Sequence, residues 1–205
     1  ENAQDFTVGS TVTWTIDLDN PSVRDQSTGE FVATDRFQVL DTIQDEYLST
    51  TVAGVNVTVP AGLTKGAAND YTVDLVAGTG PNPGNGIAVG STQVQITFTD
   101  AGRAKLAAEM NATTPVTNVE ITLDTVVNKV GVIENSAQFY SSNAQTDPKN
   151  VPGTDVRYGN ITLTKESTDD TVTDLSGAEF RVYLTEQGAR DKNANPYNSS
   201  TNPNG

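Results

Sequence analysis

Alternation of apolar and polar residues with a period of two is the feature that most constrains this chain. In the stretch 11–18, threonines and an aspartate separate four apolar residues: Val12, Trp14, Ile16 and Leu18. Successive side chains of a β-strand point to opposite faces, so this pattern predicts a strand with one buried face. Similar alternation recurs at 55–59, 71–75, 94–98 and 119–123, with turn-forming residues between. Short strands at such intervals predict an all-β chain built as a β-sandwich.

The strand predicted at 37–43 carries an acid on its inward face. Phe37, Val39, Asp41 and Ile43 share that face because of the two-residue period. A charged carboxyl in apolar surroundings costs several kcal/mol unless it is paired. Asp41 is therefore expected either to hold a proton or to meet a specific partner.

Two later strands place a polar residue inward in the same way. Asn135 shares a face with Ala137 and Phe139, and Lys165 shares one with Leu163. A neutral, desolvated lysine amine can attack an asparagine amide while a protonated carboxyl polarises the carbonyl, which forms an amide crosslink and releases ammonia. The ordinary alternative is three strand-end residues that reach water, since such groups are rarely fully buried.

Composition excludes several classes of function. The net charge is −14, which argues against binding to nucleic acid or to anionic membrane surfaces. The chain has no histidine, the commonest catalytic base and metal ligand, and no cofactor is required by any motif. It also has no cysteine, so a secreted form would need another kind of crosslink, although cytosolic proteins lack cysteine too. No apolar run is long enough to span a membrane, so no membrane insertion is expected.

One segment departs from the period of two. The stretch 100–110, DAGRAKLAAEM, predicts a short amphipathic helix with Asp100 as its N-cap. Because strands precede and follow it, we expect this helix to be a crossover connection.

A domain boundary is predicted near residue 155. The stretch 141–159 is rich in Pro, Gly, Asn and Asp, as linkers are. We therefore expect one domain over 1–155 and the beginning of a second over 156–205. The stretch 185–205 contains too few apolar residues to complete a second sandwich, so that domain is expected to be incomplete.

The stretch 191–197 has the oxygen-ligand spacing of a calcium loop. Asp191, Asn193 and Asn195 stand at positions 1, 3 and 5, with the Tyr197 carbonyl at position 7. Pro196 stands where an EF-hand needs glycine, and no glutamate occupies position 12. A solvated loop is the alternative to a calcium site.

Five segments in order carry a family resemblance: FTVGSTVTWTI, FQVLDTI, ENSAQFYSSN, YGNITLTKES and LSGAEFRVYL. Together they resemble the middle and C-terminal domains of a Gram-positive, sortase-assembled backbone pilin, the shaft protein of the Spa type found in corynebacteria. The last two segments resemble the start of a collagen-adhesin B-type domain. The resemblance implies tandem immunoglobulin-like β-sandwiches, with a middle domain over 1–155 and an incomplete B-type domain over 156–205.

The resemblance also implies roles for the three inward polar residues. Such pilin domains are held by an intramolecular Lys–Asn isopeptide bond that a buried acid promotes. Asp41 matches the promoting acid, Asn135 the amide partner, and Lys165 the lysine of the second domain. The lysine of the middle domain is expected on a strand before FTVGS, and none of the six lysines stands there. The pilin-motif lysine, the E-box glutamate, the final asparagine and the LPxTG signal of the family are not found in this sequence either.

The resulting hypothesis is a structural subunit of an extracellular, cell-wall-anchored pilus shaft rather than an enzyme. Its expected partners are neighbouring pilin subunits, joined by sortase, and a host surface is a further candidate partner. A ligand-binding adhesin module of the same fold is the first alternative. A carbohydrate-active sandwich enzyme is the second, and it would need two carboxylates that face one cleft.

Overall fold

A computed structural model describes residues 8–81, 83–129 and 135–151, together with Arg190. By spatial proximity the chain divides into two compact units. One unit is Thr7–Arg157, and the other combines Glu1–Phe6 with Tyr158–Gly205. Apart from Arg190, every described residue belongs to the first unit.

The first unit contains ten described strands and one described helix. In chain order they are β1 (Thr11–Asp19), β2 (Val23–Arg24), β3 (Phe31–Val32), β4 (Gln38–Gln44), β5 (Leu48–Val59), β6 (Tyr71–Ala77), β7 (Ser91–Phe98), α1 (Asp100–Met110), β8 (Asn118–Val127), β9 (Ala137–Tyr140) and β10 (Lys149–Asn150).

The strands form two main antiparallel sheets. One is three-stranded, in the order β1-β8-β5, and the other is five-stranded, in the order β10-β9-β4-β7-β6. β2 and β3 form a separate two-stranded ribbon. For residues 8–151, as far as the structure describes them, this architecture confirms the prediction of an all-β sandwich with one short crossover helix.

The core consists of the inward faces of the two sheets. β1 alternates strictly between exposed and buried residues, as its sequence predicts. Trp14 of β1 is buried, and its indole Nε1 donates a hydrogen bond of 2.9 Å to Oγ1 of Thr125 on β8. A buried indole N–H needs such an acceptor. The only tryptophan is therefore a core residue with its polar atom satisfied.

Helix α1 carries the chain from β7 of the five-stranded sheet to β8 of the three-stranded sheet. The prediction of Asp100 as N-cap was wrong by one residue. Thr99 is the N-cap, with extended backbone angles, and its side chain accepts a hydrogen bond from the Gly102 amide. Asp100 instead lies in the first turn, where its negative charge interacts favourably with the positive end of the helix dipole. No helix in the described part of the chain is long and apolar enough to cross a membrane.

Asp70 fixes the helix to the loop before β6. Gly102 lies so close to this loop that a Cβ atom would stand 1.9 Å from the Asp70 carbonyl oxygen. The Asp70 carboxylate accepts hydrogen bonds from the backbone and hydroxyl of Thr64 and from Nζ of Lys105, the last at 2.8 Å. Burial raises the pKa of Asp70, but these hydrogen bonds outweigh burial and hold the pKa below its usual value. This acid is thus buried, and its Oδ2 accepts three structural hydrogen bonds.

β5 is longer than the sequence pattern at 55–59 predicts. Its pairing with β8 shifts register between Thr50 and Val55, which marks a bulge. Beside this irregularity Nζ of Lys65 donates a hydrogen bond of 2.6 Å to the Val52 carbonyl. The bulge interrupts the two-residue period, so the alternation rule detects only the second half of the strand.

Candidate functional site at Asp41 and Asn135

β4 holds Asp41 in the middle of the five-stranded sheet. The residue is paired with Val94 of β7 on one side and with Ala137 of β9 on the other. Val39 and Ile43 flank it on the same inward face and are buried. With a strand on each side and the second sheet above, Asp41 is only 1% exposed. The prediction of an inward-facing acid at this position is confirmed.

Asn135 lies two residues before β9 and is also buried. Its Nδ2 donates a hydrogen bond of 3.0 Å to Oδ2 of Asp41. Among the described residues, neither Oδ1 of Asp41 nor Oδ1 of Asn135 has a hydrogen-bond partner. The fold therefore brings together two of the three residues predicted to take part in crosslinking, and one oxygen of each lacks a partner among the described residues.

Burial dominates the electrostatics of this pair. Desolvation raises the pKa of Asp41 to about 7, and the hydrogen bond from Asn135 opposes the shift. A carboxyl group with such a pKa is largely protonated in weakly acidic solution. A proton on Asp41 would supply the donor that the two unsatisfied oxygens lack, since a protonated carboxyl carries one O–H.

The described lysines are engaged elsewhere or show no contact with the pair. Lys65 binds a β5 carbonyl, Lys105 binds Asp70, and Lys129 forms an ion pair with Glu46. For Lys149, the other lysine in the described ranges, no hydrogen bond or ion pair to Asp41 or Asn135 is found. Within those ranges the site has an acid and an amide but no amine.

The remaining predicted site residues lie outside the described residues. These are Lys165, predicted to form the second isopeptide bond, and the predicted calcium ligands Asp191, Asn193 and Asn195. In the part of the chain that the structure describes, no three His, Cys, Asp or Glu side chains are grouped as a metal site would require.

A surface cleft that the sequence did not reveal lies beside the end of β1. Its volume is about 540 Å³, and Asp17, Asp19, Phe139 and Lys149 are among its lining residues. Asp17 accepts a hydrogen bond of 2.9 Å from the Asn118 amide, and both acids are exposed. A glycosidase general acid gains its raised pKa from burial. The two acids of this cleft lack that burial, which weakens the hypothesis of a carbohydrate-active enzyme.

Comparisons with known proteins include a solved structure of similar fold. No protein-family model matches the chain, and no curated protein matches it. Among solved structures, the chain is similar to the fimbrial protein FimP from Actinomyces oris, with a TM-score of 0.47 and 22% sequence identity. The similarity covers 73% of this chain and 32% of that one, so this chain spans about a third of the length of FimP. A similarity of this degree assigns no function, which must be argued from the site.

Proposed function

We propose that this chain is a structural subunit of a surface fibre of the pilus-shaft type, in which Asp41 and Asn135 form a self-crosslinking site. The observation that carries the proposal is the buried hydrogen bond between the two side chains, each of which has an oxygen with no hydrogen-bond partner among the described residues. A buried polar atom without a hydrogen-bond partner costs free energy, so its presence in a fold calls for an explanation, and a chemical role is one. The five sequence motifs, which resemble those of a Spa-type pilin and occur in the same order, support the same conclusion.

The proposed reaction is a single-turnover amide exchange. The neutral amine of a lysine attacks Cγ of Asn135, while protonated Asp41 donates to the amide oxygen and polarises the carbonyl. The bond between Cγ and Nδ2 then breaks, Nδ2 leaves as ammonia with a proton transferred through Asp41, and the new C–N bond joins lysine to Asn135. The raised pKa of Asp41 fits this role because the acid must hold a proton near neutral pH.

The bond would serve mechanical strength. A covalent bond between strands constrains the unfolded chain as a disulfide does, which stabilises the folded state by about a few kcal/mol. Unlike a disulfide, an amide bond cannot be reduced. This property suits a chain without cysteine that works outside the cell. The partners of this chain would be neighbouring subunits, joined to it by sortase in an extracellular, cell-wall-anchored pilus. The segment 156–205 would begin a second domain with Lys165 as its crosslinking lysine.

The test is an intact mass and a peptide map. For the chain as it stands, we expect the mass of the sequence. For the chain extended at its N-terminus by a lysine-bearing strand, we expect a mass lower by one ammonia and a branched peptide that joins the added lysine to Asn135. Asp41→Ala and Asn135→Ala should each restore the full mass.

Asp70→Ala is the matched control, because Asp70 is also a buried aspartate but lies against α1. This variant should keep the crosslink if it folds. A loss of ammonia that Asp41→Ala does not abolish would contradict the role of Asp41. An extended chain that keeps its full mass under every condition from pH 5 to 8 would contradict the proposed function.

A further inference from the structure

The outer face of the five-stranded sheet is almost free of charge. The outward residues of four of its strands, β4, β6, β7 and β9, are mostly glutamines and threonines, centred on Gln38, Leu40, Gln93, Gln95 and Gln138. We call this surface the neutral face. The one charged outward residue on these four strands is Asp74, which is paired with Gln95.

At one margin of the neutral face an arginine balances that acid. The Arg36 guanidinium lies 3.6 Å from the centre of the Tyr140 ring. Arg36 also donates a hydrogen bond of 2.7 Å to Gln38, so its side chain is held beside the sheet. With Asp74 and Arg36 counted together, the face carries no net charge.

The outer face of the three-stranded sheet is different. The outward residues of β1 and β8 include four acids: Asp17, Asp19, Glu120 and Asp124. Neither strand has a lysine or arginine to offset them. Asp17 and Glu120 are even direct cross-strand neighbours, an arrangement that destabilises a sheet. Among the outward residues of these strands, four acids thus lie on one face and a single acid, Asp74, on the other.

Hydrogen bonds between side chains order the neutral face. Gln95 donates to Gln93 at 2.8 Å, and Gln38 donates to Thr97 at 3.1 Å. Each glutamine amide has two N–H donors and an acceptor oxygen, so these bonds leave donors and acceptors available for a partner. An ordered surface also loses less side-chain entropy when it binds.

We propose that the neutral face binds the same face of a second copy of this chain about a two-fold axis. A net charge of −14 makes two copies repel each other, and this repulsion is smallest where the surface carries no charge. Amide and hydroxyl groups both donate and accept, so such a face is complementary to itself. A two-fold contact requires that self-complementarity. The partly exposed Leu40 and Tyr140 supply apolar area. The proposal rests on the face alone and does not depend on the crosslinking function.

The size of the face predicts a weak association. Strands spaced about 4.8 Å apart, with a rise of about 3.4 Å per residue, give an area on the order of 500 Å². A standard stable interface buries about 800 Å² on each partner. We therefore expect a weak, reversible dimer that forms only at high protein concentration.

Sedimentation velocity of the full chain from about 10 µM to 2 mM tests the proposal. We expect Gln95→Glu and Gln95→Lys both to weaken dimerisation about tenfold or more, because each places two like charges close to the two-fold axis. Thr122→Glu, at an outward position in the middle of the three-stranded sheet, is the matched control and should have no effect. If dimerisation depended only on net charge, Gln95→Lys would strengthen it, because this substitution reduces the net negative charge of the chain.

Dilution monitored by nuclear magnetic resonance locates the contact without any substitution. Backbone signals of Leu40, Gln95 and Gln138 should shift with concentration, and those of Thr122 should stay constant. A chain that remains monomeric at 2 mM would overturn the proposal. A dimer whose shifts lie elsewhere would overturn it too, as would one that the Thr122 variant weakens as much as the Gln95 variants do.

Discussion

Asn135 donates a hydrogen bond of 3.0 Å to Asp41, although 94 positions separate the two residues in the chain. The contact exists because β9 pairs with β4 in register, with Ala137 opposite Asp41. Asn135, two residues before Ala137, therefore enters the core on the same inward face. This register gives the buried acid a polar neighbour.

The first prediction concerns pH and Asp41. Its pKa is about 7 in the folded chain and has an ordinary value of 3.8, so the folded state binds this proton more tightly than the unfolded state. The contribution of Asp41 to the free energy of unfolding is therefore fully present below pH 3.8 and is lost as the pH rises through 7. Urea denaturation from pH 4 to pH 8 should show a loss of about 2 to 4 kcal/mol from this group.

Asp41→Asn provides the comparison, because asparagine has the same shape and does not titrate. The other acids titrate in both proteins, so their effects cancel when the two unfolding free energies are subtracted. The difference between the wild type and this variant should therefore fall with rising pH by the amount that Asp41 contributes. Asp70, whose pKa is lowered, acts in the opposite direction and loses its contribution as the pH falls. A difference that stays constant from pH 4 to pH 8 would mean that Asp41 is not buried as the structure shows.

The second prediction concerns the hydroxyl that satisfies Trp14. Thr125 is buried, and its Oγ1 accepts from the indole and donates to the Val12 carbonyl at 3.2 Å. Thr125→Val keeps the shape but leaves the indole N–H without its acceptor, so we expect a loss of about 1 to 3 kcal/mol in urea denaturation. Thr122→Val, on the outward face of the same strand, should change stability by less than about 0.5 kcal/mol. Equal effects at the two positions would argue against the buried hydrogen bond.

The third prediction concerns the glycine in α1. Alanine normally stabilises a helix by up to about 1 kcal/mol relative to glycine. At Gly102, however, the added Cβ would stand 1.9 Å from the Asp70 carbonyl oxygen, so the helix would have to move away from the loop. We expect Gly102→Ala to lower thermal stability by about 1 to 3 kcal/mol.

Ala108→Gly is the control for that substitution, because Ala108 is an exposed residue of the same helix. It should cost about 1 kcal/mol through propensity alone. If Gly102→Ala instead raised the melting temperature, the close approach of α1 to the Asp70 loop would be contradicted.

Local pattern was sufficient to determine much of this fold. The two-residue period located β1, β4 and β8 with their buried faces, because each face can be deduced from a single strand. It also showed that Asp41 points inward. The helix was evident from its change of period. Its N-cap was misplaced by one residue because threonine and aspartate are both good N-caps, and only the backbone angles distinguish Thr99 from Asp100.

Tertiary structure decided what no local pattern contains. The bulge in β5 and the closeness of Gly102 to Asp70 depend on how separate elements pack. The neutral face arises because outward residues of four strands, distant in sequence, become neighbours when the strands pair. The sequence by itself determined which residues are buried in the strands that alternate regularly, such as β1, β4 and β8. Only the pairing of distant strands decided that the buried acid meets Asn135, because strand register depends on long-range contacts that a short-period pattern does not encode.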